Sequence, residues 1–164
     1  MLTETKTETL ADPLDDVLGY QLRRAMLVTM TALTDSYEEL DLKVSEAIIL
    51  RFVGANPGCN QSAIGRALGV KRTNMVPIVA GLEARSLLIR PPADGRSNAL
   101  FLTEAGKELL KHIQSAGDAI EQHFFGDIAP DTRNTLLELC RNVRAKAEGT
   151  FGLPGGSVNA ITNP

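Results

Sequence analysis

Tryptophan is absent, and five phenylalanines, two tyrosines, two histidines and two cysteines are all that 164 residues contain of those types. Cys59 and Cys140 lie far apart with no Cys-x-x-Cys spacing, so neither a disulfide scaffold nor a zinc site is expected. His112 and His123 stand eleven residues apart without a His-Glu-x-x-His pattern, so no metal or other cofactor is expected. The chain also lacks Gly-x-Ser-x-Gly, a phosphate-binding glycine loop and any paired His/Cys constellation; no catalytic residue can be nominated, and an enzyme is not expected. No apolar run approaches the roughly 18 residues of a membrane span. The N-terminus, MLTETKTETLADPLDD, is acidic and has no apolar h-region. The expectation is a cytoplasmic protein without a membrane partner.

An excess of positive charge is missing too. The net charge is −3, from 17 Lys+Arg and 20 Asp+Glu, which at first argues against nucleic acid. The distribution argues the other way. Residues 1–58 carry −5 and residues 101–164 carry −2. Residues 59–100 carry +4, from Arg66, Lys71, Arg72, Arg85, Arg90 and Arg96 against Glu83 and Asp94. Phosphate attraction follows local charge, not the total. The 43% hydrophobic content is enough for a core, and the length suits one domain.

Residues 1–12 are polar and expected to be disordered. Asp12-Pro13 offers a helix start, and Leu14, Val17, Leu18, Leu22, Ala25, Met26, Met30 and Leu33 recur at helical steps to about Leu40. A second helix is expected from Ser45, with Ile48, Ile49, Phe52 and Val53 as its apolar face, ended by Asn56-Pro57-Gly58. Asn60 can cap a short helix over 60–68 that buries Ile64, Ala67 and Leu68 and stops at Gly69. The helix over 72–86 has the sharpest pattern: Met75, Ile78, Val79 and Leu82 on one face, Arg72, Thr73, Val76, Pro77 and Ala80 on the other. Leu87–Ile89 and Ala99–Leu102 read as two strands around a polar loop, Pro91 to Asn98. Thr103 caps a long helix to about Phe125, with Leu109, Leu110, Ile113, Ala116 and Ile120 as its stripe. A last helix near 131–147 carries Leu136, Leu137, Leu139, Cys140 and Val143. The Gly/Pro-rich tail, 148–164, is expected to be mobile. The fold class is therefore mainly α, six helices with a small two-stranded β wing.

Helix, turn, helix, then a basic hairpin is the outline of a winged helix-turn-helix. Asp94-Gly95 is a hairpin signal, because a tight turn needs a residue that tolerates positive φ. Arg96 at its tip suits a narrow minor groove, where the potential is most negative. Asp94 is expected to bond the loop backbone or Arg96 and aim the guanidinium. The major groove admits one α-helix, whose first residues reach base edges. Here those are Lys71-Arg72-Thr73-Asn74: arginine suits guanine, asparagine suits adenine, and lysine and threonine can hold phosphates. Taken alone, those four residues could equally be a solvated helix start; the basic hairpin downstream tips the reading to DNA.

The combination Asp94-x-Arg96-Ser97, Leu102-Thr103 and Gly106 resembles the MarR family of bacterial transcriptional regulators. The stretch NQSAIGRALGVKRTNMVPIVAGLEARSLLIR is similar to that family's helix-turn-helix, and the likeness covers about residues 14–146. It implies an intertwined homodimer on a palindromic operator, with residues 13–44 and 104–147 as the dimerisation body and 45–103 as the DNA-binding lobe. It also implies DNA contacts from Arg72, Thr73 and Asn74 at the recognition-helix start, Arg96 and Ser97 on the wing, and Asn60, Gln61 and Ser62 on the preceding helix. Two positions depart from the family pattern. Lys71 replaces a small hydroxyl cap, and Pro77 sits inside the recognition helix, where it removes a backbone hydrogen bond and should bend the axis.

MarR-like proteins commonly release DNA when a small aromatic molecule binds between body and lobe. The candidate wall here is Tyr20, Arg23, Arg24, Met26 and Met30, two cations beside soft apolar side chains. Such a mixture suits an aromatic acid or an acyl-CoA thioester. The segment LGYQLRRA is similar to relatives that sense hydroxycinnamoyl-CoA esters. Plain core or dimer packing is the other reading of Met26 and Met30, and pairing with the acids at 35–41 is the other reading of the two arginines. Two further functions stay open: a thiol-switched regulator using Cys59, and a winged-helix protein-interaction module that binds no DNA.

Overall fold

A computed structural model describes residues 10–91 and 99–151, with side chains as far as residue 146. The expected disorder of residues 1–9, the wing tip 92–98 and the tail beyond 151 lie outside the described residues.

The first helix, α1, spans Leu18–Glu38. It begins later than Asp12-Pro13 suggests. The Asp12 carboxylate accepts the Leu14 N–H at 2.9 Å, and Gln21 reaches back to the Asp15 carbonyl at 2.9 Å. Side-chain bonds of this kind offer the backbone an alternative to helix. Helix α2 spans Val44–Ala55. Glu46 in its first turn accepts the Lys43 N–H at 2.8 Å, and Ser45, the expected start, lies buried inside that turn.

Helix α3 spans Gln61–Leu68 and helix α4 spans Arg72–Ala84. Asn60 caps α3 through Ala63 N–H at 2.8 Å. Gly69 ends it at φ +64°, a left-handed conformation that suits glycine. Ile64 is buried as expected, but Ala67 is exposed and Leu68 only half-buried. The close approach to α4 runs through Gly65 instead. A Cβ there would stand 3.1 Å from the Val70 carbonyl and 3.4 Å from Met75 Cγ. Ala67 follows it by about 200° around the helix and so faces solvent. In α4, Met75, Val79 and Leu82 are buried while Arg72, Thr73, Val76, Pro77 and Ala80 are exposed. The helix is continuous through Pro77.

Strands β1 (Leu88–Ile89) and β2 (Phe101–Leu102) pair antiparallel, Leu88 opposite Leu102. Both are shorter than the sequence suggests. Leu87 is not in the strand: its N–H goes to the Leu82 carbonyl at 3.0 Å and its own carbonyl accepts from Thr103 N–H at 3.1 Å. Ala99 and Leu100 pair with the residues leading into α3. Ala99 bridges Asn60, and Leu100 N–H donates to the Cys59 carbonyl at 2.8 Å.

Helix α5 spans Glu104–Phe125, capped by Thr103, whose hydroxyl oxygen accepts the Gly106 N–H at 2.9 Å. Helix α6 spans Pro130–Phe151. It runs past the expected end, so residues 148–151 are helical, not tail.

One core joins the helices. Ile49, Leu50 and Val53 of α2, Ile64 of α3, Met75, Val79 and Leu82 of α4, Leu88, Leu100, Tyr37 of α1 and Ile113 of α5 are buried together. The N-terminal half of α1 lies outside it, with Leu18 60% and Val28 57% exposed. In α6, Leu137 and Leu139 are half-buried, while Leu136, Cys140 and Val143 are exposed. Arg85, at the end of α4, donates to the Asp41 carbonyl at 2.8 Å, which ties that helix to the α1–α2 turn.

Candidate nucleic-acid interface

Burial of Met75, Val79 and Leu82 fixes the roll of α4, so its opposite face must point outward. That face begins with Arg72 and Thr73 in the first turn. Lys71 is the N-cap residue and makes no side-chain cap, so the first N–H groups of α4 are not capped by it. Uncapped N–H groups and the helix dipole favour an anion at this end. Thr73 donates to the Asn74 side-chain oxygen at 3.4 Å.

Between α3 and α4 lies a groove of about 440 Å³. Gln61, Ser62, Arg66, Lys71 and Arg72 line it above a floor of Gly65 and Met75. Among the described residues, its charged lining is entirely cationic. The structure thus brings Gln61, Ser62, Lys71 and Arg72 to one surface and adds Arg66, which the sequence reading left out of its site. Asn60 stands at the same end but its side-chain oxygen is committed to the α3 cap. Asp94, Gly95, Arg96 and Ser97 lie outside the described residues.

The root of the wing is described, and it holds a residue that sequence reasoning missed. Arg90 follows β1. Its Nη2 donates to Gln61 Oε1 at 3.1 Å, and its Nε lies 2.9 Å from Glu83 Oε1 of α4. The only signal in the sequence was its place in the basic segment.

The five residues expected to form an effector wall do not share a face. Arg24 sits 5.6 Å over the Tyr20 ring and 3.2 Å from Asp12, not against the acids at 35–41. Met30 packs against the core, and Met26 is exposed. A second cavity, of about 480 Å³, opens between α1 and the end of α5. Gln21, Arg24, Ala25, Val28 and Thr29 line it with Phe124 and Phe125. Of the expected five, Arg24 alone takes part.

Cys59 is half-buried. Burial pushes its thiol above the ordinary cysteine range, opposed by a weaker backbone hydrogen bond. Among the described residues, no group of three or more His, Cys, Asp or Glu side chains could hold a metal ion, and no helix is long and apolar enough to cross a membrane.

A helical pair with an outward-facing second helix, followed by a two-stranded wing, is the winged helix-turn-helix fold. Residues 40–97 match the MarR family. That match covers about a third of the chain, and the proteins the whole chain is similar to are transcriptional regulators. It is 28% identical over 130 residues to a putative transcriptional regulatory protein for the hcr operon of Thauera aromatica, covering 77% of this chain and 78% of the relative. The fold superposes on the transcriptional repressor CouR bound to a 23-mer DNA duplex with a TM-score of 0.71, at 29% identity, covering 84% of this chain and 99% of CouR. CouR bound to p-coumaroyl-CoA aligns with a TM-score of 0.69 at 28% identity, over 83% of this chain and 97% of CouR.

Proposed function

We propose that this chain is a cytoplasmic repressor that binds a palindromic operator as a homodimer and lets go when an aromatic acid or a hydroxycinnamoyl-CoA-type thioester binds. The observation that carries the reading is the outward stripe of α4, opening with Arg72 and Thr73 beside the wholly cationic groove against α3. In this reading α4 enters the major groove with Arg72, Thr73, Asn74 and Pro77 nearest the bases. Lys71, Asn60, Gln61 and Ser62 face phosphates. Arg96 and Ser97 enter the flanking minor groove on a tip shaped by Asp94 and Gly95. Residues 13–44 and 104–147 form the dimer body and 45–103 the DNA-binding lobe.

Support for the effector class comes from a relative, CouR, whose structure holds p-coumaroyl-CoA, and from the α1–α5 cavity. Its volume falls in the range of small-molecule sites, about 300–1,000 Å³. Arg24 offers a cation to a carboxylate or phosphate, and Val28, Phe124 and Phe125 offer apolar walls to an aryl group. A thiol switch at Cys59 is disfavoured, because raising a thiol's pKa removes the reactive thiolate.

The test begins with selection of duplexes from a random-sequence pool by the full-length protein. A palindromic consensus is expected, with affinity falling steeply as salt rises and falling further in Arg96→Ala. p-Coumaroyl-CoA or p-coumaric acid, but not free CoA, should then release the duplex and raise the melting temperature of the protein alone. No duplex enrichment would end the DNA reading. Indifference to every aromatic acid and thioester tried would end the effector half and leave the first half standing.

A further inference from the structure

We propose that Arg90 is a positioning residue for DNA binding: it fastens the root of the wing to α3 and orients the Gln61 amide as a phosphate donor. This rests on the DNA-binding reading above. The Arg90 guanidinium joins three elements. It follows β1, donates to Gln61 Oε1 on α3 at 3.1 Å and meets Glu83 Oε1 on α4 at 2.9 Å. The Nε facing Glu83 is fully buried and makes no aligned hydrogen bond, so that contact is an ion pair. Both side chains are mostly shielded, 31% and 29% exposed.

With Oε1 engaged by Arg90, the polar group Gln61 has left to offer the groove is its NH₂, a pure donor. An amide able to flip would also present its oxygen, which a phosphate repels. The bond to Arg90 removes that alternative. The returning leg of the wing is fastened at the same place, through the Asn60–Ala99 bridge and the Leu100–Cys59 bond. Both described ends of the wing are therefore anchored on residues 59–61, at the start of α3. Because Glu83 balances its charge, Arg90 acts through its neighbours and not on phosphate itself. A lysine cannot replace it, since one ammonium lacks the fork that spans Gln61 and Glu83.

The test uses the full chain and a duplex selected by it, with affinity measured by fluorescence anisotropy across a salt series. Arg90→Ala and Arg90→Lys should each weaken binding about 10-fold, the scale of one charge-assisted hydrogen bond. The slope of log affinity against log salt should not change, whereas a lost direct phosphate contact lowers it by about 0.9. Gln61→Ala in the Arg90→Ala background should add little to either single loss, because one acts through the other. Additive losses, a reduced slope in Arg90→Ala, or unchanged affinity would each overturn the proposal. Should Arg90→Ala fail to fold, Gln61→Glu decides. It still accepts from Arg90 but turns a carboxylate oxygen to the groove, so it should bind more weakly than Gln61→Ala; equal or tighter binding refutes the orientation. A parent chain that selects no duplex would instead refute the DNA reading.

Discussion

Cys59 precedes the Asn60 cap, in contact with the core. Its raised pKa has a definite sign in chemistry: at neutral pH the thiolate is scarcer than in a free cysteine, and it becomes abundant only when pH passes the elevated value. In a Cys140→Ser background, alkylation of Cys59 by iodoacetamide at pH 7.5 should be slower than that of a free thiol. The rate should keep rising with pH after that of an ordinary cysteine, half ionised at about 8.5, has levelled off. Alkylation as fast as a free thiol's would restore the thiol switch as a contender. Position in the sequence made Cys59 a candidate; burial, which comes from its packing against a core gathered from distant parts of the chain, was not legible there.

At the scale of elements, the tightest approach is that of α5 to the strand entry. A Cβ on Gly106 would fall 2.1 Å from the Leu87 carbonyl oxygen and 3.3 Å from Leu102 Cδ2. Backbone cannot swing aside as a side chain can. Gly106→Ala should therefore destabilise the protein by about 3 kcal/mol, the upper end for overpacking. Gly81, inside α4, has nothing within 4 Å of its Cβ position. There Gly81→Ala should stabilise by about 0.5–1 kcal/mol, through helix propensity and a stiffer unfolded chain. Paired urea melts check both, and equal effects of the two substitutions would refute the packing argument. The period of 3.6 made α4's two faces readable in advance, and local chemistry made the Asn60 and Thr103 caps readable. The wing root was not, because Arg90 meets Gln61 across 29 positions of chain. The expected effector residues are scattered for a different reason: Met26 and Met30 trail Arg24 by about 200° and 240° around α1, so composition had grouped side chains that a helix separates.

For the whole molecule, the question is what covers the N-terminal half of α1. Leu18, Leu22, Met26, Leu27 and Val28 are all exposed there, as are Leu14 and Val17 just before it and Leu136 and Val143 on α6. The two segments are those that the family resemblance assigns to the dimer body, and monomers rarely leave so many large apolar side chains in contiguous reach of water. A second copy, meeting the same surface about a two-fold axis, would bury each stripe once per protomer. The twofold would also present two α4 helices and so match a palindrome, which a lone protomer cannot read. Sedimentation equilibrium of the parent should give a dimer, and its melting temperature should rise with protein concentration. Leu18→Asp with Leu22→Asp should shift the mass to the monomer and abolish the concentration dependence, because two carboxylates would have to be desolvated in the interface. The buried core of the lobe, which uses neither residue, should keep its helical signal in that variant. Operator affinity should fall by well over an order of magnitude, since each half-site would then bind on its own. A parent chain that sediments as a monomer at every concentration, with a melting temperature indifferent to dilution, would leave the apolar stripe without its partner and remove the geometric basis for recognising a palindrome.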